Sequence, residues 1–159
     1  MSAHTTMATG KMGELHVLGE LLRLGVNPYV PLVDQEGMDA VIRRRDGTYL
    51  ELQIKTIATP KYPRWFGARI SRPRNQLFMV CVTLVTEPKE TWIIPSHVFK
   101  THSTFSPKSG VCDLDLEGTK RGSEIVRKKL LAEYCNAWHL LTEEAETATE
   151  ESAISSIAK

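Results

Sequence analysis

Glu51, Gln53 and Lys55 alternate with Leu50, Leu52 and Ile54 in the run Tyr49–Ile57. An extended strand sends successive side chains to opposite faces, so one face is aliphatic and the other carries a carboxylate, an amide and an ammonium in a row. Flanked by hydrophobic residues, that polar row is poorly explained as a solvated face and has the makeup of a small site for a hard cation and an anion. Two further acids share its character. Asp39 lies in the apolar run Met38–Ile42, and Glu14 is followed by Val17, Leu18 and Leu21. Those i+3, i+4 and i+7 offsets put the Glu14 carboxylate on the inward stripe of a helix; the competing reading is a first-turn acid favoured by the helix dipole and still near solvent. Asp39 offers the hard oxygen that Mg²⁺ prefers, with water filling much of the remaining shell. Gln53 can add its amide oxygen, Ile54 its backbone carbonyl, and Glu14 can reach in through a water. Lys55, two residues beyond Gln53, points at the same spot. There its ammonium can orient or help deprotonate an attacking water, or stabilise negative charge developing on a phosphorus centre.

The register of one hairpin decides whether these groups meet. Met38–Arg44 and Thr48–Ile57 pair around Asp46-Gly47, a strong hairpin signal. A two-residue loop would set Asp39 opposite Ile54, on the aliphatic face. A three-residue loop, Arg45-Asp46-Gly47, with Gly47 in the left-handed bulge position, changes the parity and sets Asp39 opposite Gln53, flanked by Glu51 and Lys55. The cluster requires that register or an equivalent bulge.

The surrounding elements read as follows. Residues 10–25 form a helix with an apolar stripe of Leu15, Val17, Leu18, Leu21, Leu22 and Leu24, ended by Gly25. Pro28–Leu32 is a short edge piece. Phe66–Ile70 is a strand, and Leu77–Val85, almost wholly apolar, is a buried central strand. Thr91–Ile94 is a further strand, Pro95 opens a helical turn through Phe99, residues 100–111 are a loop and Val111–Leu116 is an edge strand. Ser123–Leu141 is a second long helix that buries Ile125, Val126, Leu130, Leu131, Tyr134, Ala137, Trp138 and Leu141. Helix, several strands and helix argue an α/β fold with helices packed on a mixed sheet.

At 159 residues the chain suffices for one domain with a real core. Cys81, Cys112 and Cys135 are far apart and odd in number, against a zinc ribbon or a disulfide framework. The polar start, Met1–Gly10, has no apolar signal core, and no apolar run approaches bilayer length. The expectation is a cytoplasmic protein without a membrane partner. The net charge of +1 conceals segregation. Residues 143–159 hold five Glu and one Lys among Ala, Ser and Thr and read as an acidic flexible tail. Setting these aside leaves 19 basic and 14 acidic residues, net +5. Positions 52–86 contain no acid but carry Lys55, Lys61, Arg64, Arg69, Arg72 and Arg74, a field that favours a polyanion over merely solubilising charge. Tyr62 and Trp65 interleave with these cations, a mixture suited to phosphates and exposed bases; core packing is the other reading of Trp65. The five histidines show no ligand spacing. Asp113 and Asp115 share a strand face and read as a solvated edge.

Gly13-Glu14 on the first helix, Asp39 opening a strand and Gln53-Ile54-Lys55 on the next resemble the PD-(D/E)XK nuclease superfamily, closest in flavour to its Holliday-junction-resolvase-like branches. The resemblance covers roughly residues 10–100 and, more loosely, 123–141. It implies a restriction-endonuclease-like α/β core at residues 10–142, after a disordered 1–9, and Mg²⁺- or Mn²⁺-dependent hydrolysis of nucleic-acid phosphodiesters, DNA rather than RNA. It implies catalytic roles for Lys55, Asp39, Gln53 and Glu14, and it admits a homodimer. The departure is Gln53, where the common pattern has Glu or Asp. The exchange removes a ligand charge that Glu51, one strand repeat away, can partly replace as a metal ligand.

Two readings without catalysis stand beside this one. In the first, Gln53 marks a nuclease scaffold that binds nucleic acid without cutting it. In the second, the acidic tail or an exposed sheet edge recruits a protein partner.

Overall fold

A computed structural model of the chain describes residues 3–33, 37–70, 72–119 and 125–142. The expected acidic tail, 143–159, lies outside the described residues. The first element is helix α1, Ala3–Arg23. It begins well before residue 10, so residues 3–9, expected to lack structure, form its first two turns. Gly25, at φ +78°, turns the chain out of the helix. Five strands then make the main sheet: β1 Pro28–Tyr29, β2 Ala40–Arg43, β3 Tyr49–Ile57, β5 Leu77–Thr83 and β6 Glu90–Pro95, in the order β1-β2-β3-β5-β6. Only the central β3·β5 pair is parallel, so the sheet is mixed, as the sequence implied. A smaller antiparallel sheet, order β4-β8-β7, is made by β4 Trp65–Ala68, β7 Thr104–Ser106 and β8 Val111–Asp115. Helix α2, Ser96–His102, follows β6 directly.

The continuous apolar run of β5 is explained by burial on both faces. Phe78, Val80 and Val82 point to α1, where Val17 and Leu21 meet Ala40, Ile42, Leu50, Leu52 and Ile54. Met79 and Cys81 point the other way and pack with Trp92, Ile94, Phe99 and the small sheet's Phe66, Ala68, Cys112 and Leu114. Deep burial pushes the Cys81 thiol up, which keeps it protonated and inert. The main sheet is thus a middle layer, with α1 on one face and the small sheet with α2 on the other. Gly13 marks where α1 comes closest. A Cβ built there would lie 1.9 Å from Thr56 Oγ1, so only glycine lets the helix backbone rest on β3.

Four expectations need correction. The strand near Phe66 joins the small sheet, not the main one. Residues 100–111 are not all loop, since Thr104–Ser106 pairs with β8; β8 is accordingly the centre of its sheet, not an edge. Leu15 and Leu22 on α1, and Leu24 just past it, are exposed, because only the face bearing Gly13, Val17 and Leu21 rests on the sheet. The long helix over Ser123–Leu141 does not form. Residues 120–124 lie outside the described set, and the rest is broken into α3 Arg127–Leu130, a 3₁₀ turn at Ala132–Tyr134 and α4 His139–Thr142. The break has a tertiary cause. Cys135 bridges to Trp92. Asn136, at φ +53°, donates its N–H to Thr91 O at 2.6 Å and accepts from Thr91 N through Oδ1 at 3.0 Å. Those bonds tie the segment to the end of β6 and override helical periodicity; Ile125 and Leu130 are left exposed. Among the described residues no helix is long and apolar enough to cross a membrane.

Candidate active site

The β2–β3 hairpin has the register of the expected three-residue loop. Ala40 pairs with Leu52, Val41 with Glu51, Ile42 with Leu50 and Arg43 with Tyr49; Asp39 N also donates to Leu52 O, at 2.9 Å, so the regular ladder ends at Ala40 and Asp39 shares a cavity with Lys55, not with Gln53. The loop is Arg45-Asp46-Gly47: Arg44 N donates to Thr48 O at 2.8 Å, Gly47 sits at φ +88°, and Asp46 Oδ1 accepts from Thr48 N at 2.7 Å. The Asp and Gly each satisfy a local demand of this turn.

Past Ala40 the two strands part. Asp39 Oδ2 accepts the N–H of Ile54 at 2.6 Å, which fixes the carboxylate at the opening. α1 supplies the other wall. Glu14, Asp39, Lys55 and the backbone of residues 54–59 line one cavity of about 370 Å³, with Thr6, Thr9 and Gly10 of α1. Three of the residues chosen from sequence therefore come together: Glu14, Asp39 and Lys55. Two that sequence reasoning missed join them. Lys11 bonds Glu14 and also feels Asp39; the two carboxylates hold its ammonium above the ordinary lysine range, Glu14 first through the hydrogen bond. It stands where a cation is attracted by both acids. Its spacing, three residues before Glu14, was a readable signal. Thr56 lines the same cavity, and its Oγ1 is buried without a hydrogen-bond partner among the described residues.

Gln53 and Glu51 lie on the other side of Lys55. Gln53 is only 5% exposed, and its Nε2 lies 2.2 Å from where a Cβ on Gly37 would be; Gly37, at φ +74°, makes room for the amide. Gln53 and Lys55 both line a second cavity, about 570 Å³, whose far wall is Gly67, Ala68 and Arg69. Lys55 thus separates two cavities and faces both. Glu51 is farther off, in an ion pair with Arg74 whose second contact, Nε to Oε1, is 3.2 Å. Its carboxylate is engaged by a guanidinium, not directed at Asp39. Among the described residues no three His, Cys, Asp or Glu side chains gather as a metal-ligand cluster. The donors that could hold a hard divalent ion are two carboxylates, the Ile54 carbonyl and water.

The basic stretch divides in two. Lys61, Arg69 and Arg72 are exposed, and Arg69 lines the cavity shared by Gln53 and Lys55. Tyr62 and Trp65 are exposed and stack edge to face at 5.2 Å, with the Lys61 ammonium 5.2 Å from the Tyr62 ring centre. Arg64 is different. It grips Glu90 with Nε and Nη2 at 2.6 and 2.7 Å and Glu117 with Nη1 at 2.6 Å, which leaves it no free fork for a phosphate. Glu90 is also bonded by Lys128 and by Trp92 Nε1, and the Arg64 guanidinium holds its carboxyl down at about 2. Arg64 is a staple that ties the basic loop to β6, assisted by the Thr83 hydroxyl on Pro63 O at 2.8 Å. Arg74 is likewise paired, with Glu51. Asp113 and Asp115 line neither cavity.

A helix laid across a β-hairpin, followed by a parallel strand and an antiparallel one, with acids at the hairpin mouth, makes an α/β fold with a central mixed sheet. No protein family matches the chain, and no curated relative does. Among solved structures it is similar to a bacterial homing endonuclease, I-Ssp6803I, with a TM-score of 0.60 and 22% identity, covering 86% of this chain and 90% of that one. The likeness is one of fold.

Proposed function

We propose that this chain is a Mg²⁺- or Mn²⁺-dependent nuclease of the PD-(D/E)XK kind that hydrolyses DNA phosphodiesters. The observation that carries the reading is the convergence of Glu14 and Asp39, from a helix and a strand end, on a cavity walled by Lys55. Asp39 and Glu14 would hold the ion, with the Ile54 carbonyl as a third donor. When bound, the ion supplies Lewis acidity that neutralises phosphate charge and lowers the pKa of water. The Ile54 N–H keeps the Asp39 carboxylate turned to the opening. The Lys11 ammonium holds Glu14 until the ion replaces it. Lys55 orients the attacking water and balances charge that builds on the phosphoryl oxygens. Gln53 can donate from its amide to the same phosphate across the Lys55 wall. Lys61, Arg69 and Arg72 hold flanking phosphates, and Tyr62 and Trp65 offer faces to unpaired bases. The endonuclease named by the neighbouring structure supports DNA as the polymer.

The test is cleavage of duplex, nicked and branched DNA with Mg²⁺ or Mn²⁺. Lys55→Ala and Asp39→Ala should remove cleavage while circular dichroism and thermal unfolding stay close to wild type. Equal cutting by wild type and Asp39→Ala would end the proposal.

One observation favours a second reading. The amide of Gln53, in place of a carboxylate, packs against Gly37 and does not line the cavity of Glu14 and Asp39. A chain that kept the scaffold and binds DNA without cutting would show salt-sensitive binding and no cleavage with either ion.

A further inference from the structure

The hairpin end remote from the cleft carries a second concentration of positive charge. Arg43, Arg44 and Arg45 line a cavity of about 200 Å³, closed by Leu24 and Asn27 after α1, Tyr29 of β1 and Thr142 of α4. Among the described residues no carboxylate lines it. Arg44 is fixed by a bond from Nη2 to Leu140 O, and its Nε–H is buried with no partner among the described residues. A buried donor of this kind calls for an acceptor. The C-terminal ends of α1 and α4 reach the cavity and bring about half a negative charge each. Three arginines exceed that, so among the described residues the balance stays positive. Guanidinium forks match the tetrahedral edge of a phosphate and bind it through paired N–H donors. The volume holds one such group with several waters, at roughly 30 Å³ per water.

We propose that the Arg43–Arg44–Arg45 cavity is a second phosphate-binding site, separate from the Glu14–Asp39–Lys55 cleft, that takes a backbone phosphodiester of bound nucleic acid. The exposed Arg43 and Arg45 supply the forks that meet the phosphate, and Arg44 lines the cavity between them. The four residues of β2 lie between Asp39 and Arg44, and the five steps span roughly 17 Å at about 3.4 Å per residue, about five nucleotide steps along one DNA strand. Nucleic acid as the source of the phosphate rests on the proposed function; the oxyanion site itself does not.

The experiment uses the full chain and the double variant Arg43→Gln/Arg45→Gln, which leaves Arg44 and its bond to Leu140 in place. Affinity for a short DNA duplex is measured against salt concentration without divalent ions, and inorganic phosphate is titrated while the arginine Nε–H resonances are followed by NMR. The expected result is a salt slope smaller by about 0.9 in the variant, the value for one phosphate no longer neutralised, with Mn²⁺ calorimetry unchanged. Arg44→Lys, which keeps the charge but not the fork, should lose the phosphate-dependent shift. A wild-type slope in the double variant, together with a phosphate shift that the variant loses, would overturn nucleic acid as the ligand and leave a site for free phosphate. No change in slope and no phosphate shift in wild type would overturn the site. If the wild type binds no DNA, the proposed function fails, and the phosphate titration still decides this cavity.

Discussion

The carboxylate of Asp39 accepts the backbone N–H of Ile54 at 2.6 Å, so the strand that bears Lys55 also aims the acid that shares a cavity with it. The bond crosses the hairpin where its ladder ends, and it ties the position of a would-be ligand to the backbone instead of to a rotamer. That arrangement separates charge from geometry. Asp39→Asn can keep the oxygen acceptor for Ile54 while losing the negative charge. We expect Mn²⁺ affinity to fall at least tenfold by calorimetry while the unfolding midpoint moves little. Undiminished Mn²⁺ binding by Asp39→Asn would mean that the ion, if any, binds elsewhere.

Glu51 gives the converse. Its carboxylate is held by Arg74, and the pair is partly exposed. Glu51→Gln should leave Mn²⁺ affinity within about twofold and cost about 1 kcal/mol of stability or less, the range of exposed ion pairs. A large drop in Mn²⁺ affinity in this variant would restore Glu51 as a ligand.

Gly13→Ala tests the approach that places Glu14. The added methyl would sit 1.9 Å from Thr56 Oγ1 and 2.8 Å from its Cβ. Thr is β-branched and stiff at χ1, so the helix must shift instead. Overpacking of this kind costs about 1–3 kcal/mol, and moving Glu14 should weaken Mn²⁺ binding at the same time. Chemical denaturation and calorimetry on one preparation read both. Unchanged stability with unchanged Mn²⁺ affinity would show that α1 does not rest tightly on β3 at this point.

Glu90 predicts a pH dependence. Its carboxyl is held at about 2, against an ordinary 4.5, chiefly by the hydrogen bond from Arg64. A folded-state pKa below the unfolded one gives stability that is fully present above about pH 4.5 and is lost as pH falls through about 2. The contribution is on the order of 3 kcal/mol at most. Urea midpoints between pH 6 and pH 2 should therefore fall less in Arg64→Met than in wild type, although Arg64→Met starts lower. Parallel curves would remove the Arg64–Glu90 pair as the cause. The same variant should leave the salt slope of DNA binding nearly unchanged, since the Arg64 fork is already filled.

The hairpin shows how far local sequence reaches. Asp46 and Gly47 determine a three-residue loop because one caps Thr48 N and the other tolerates a left-handed backbone, and the loop length alone sets Ala40 opposite Leu52, with Asp39 at the end of the ladder. β5 was legible for the same reason, since an unbroken Val-rich run has no solvated face. The inward turn of Glu14 followed from helical spacing. Each of these depends on residues close together in the chain. What tertiary structure alone decided are the partners that meet from far away. Glu51 meets Arg74 and not the metal cleft, Arg64 meets Glu90 and Glu117 and not phosphate, and Cys135 and Asn136 pair with Trp92 and Thr91, which breaks a helix that periodicity favours. A charge or a hydrogen-bonding group in sequence states what it can bind. Which of several eligible partners it reaches is settled by packing, because the cost of leaving a buried group unpaired is assessed over the whole fold.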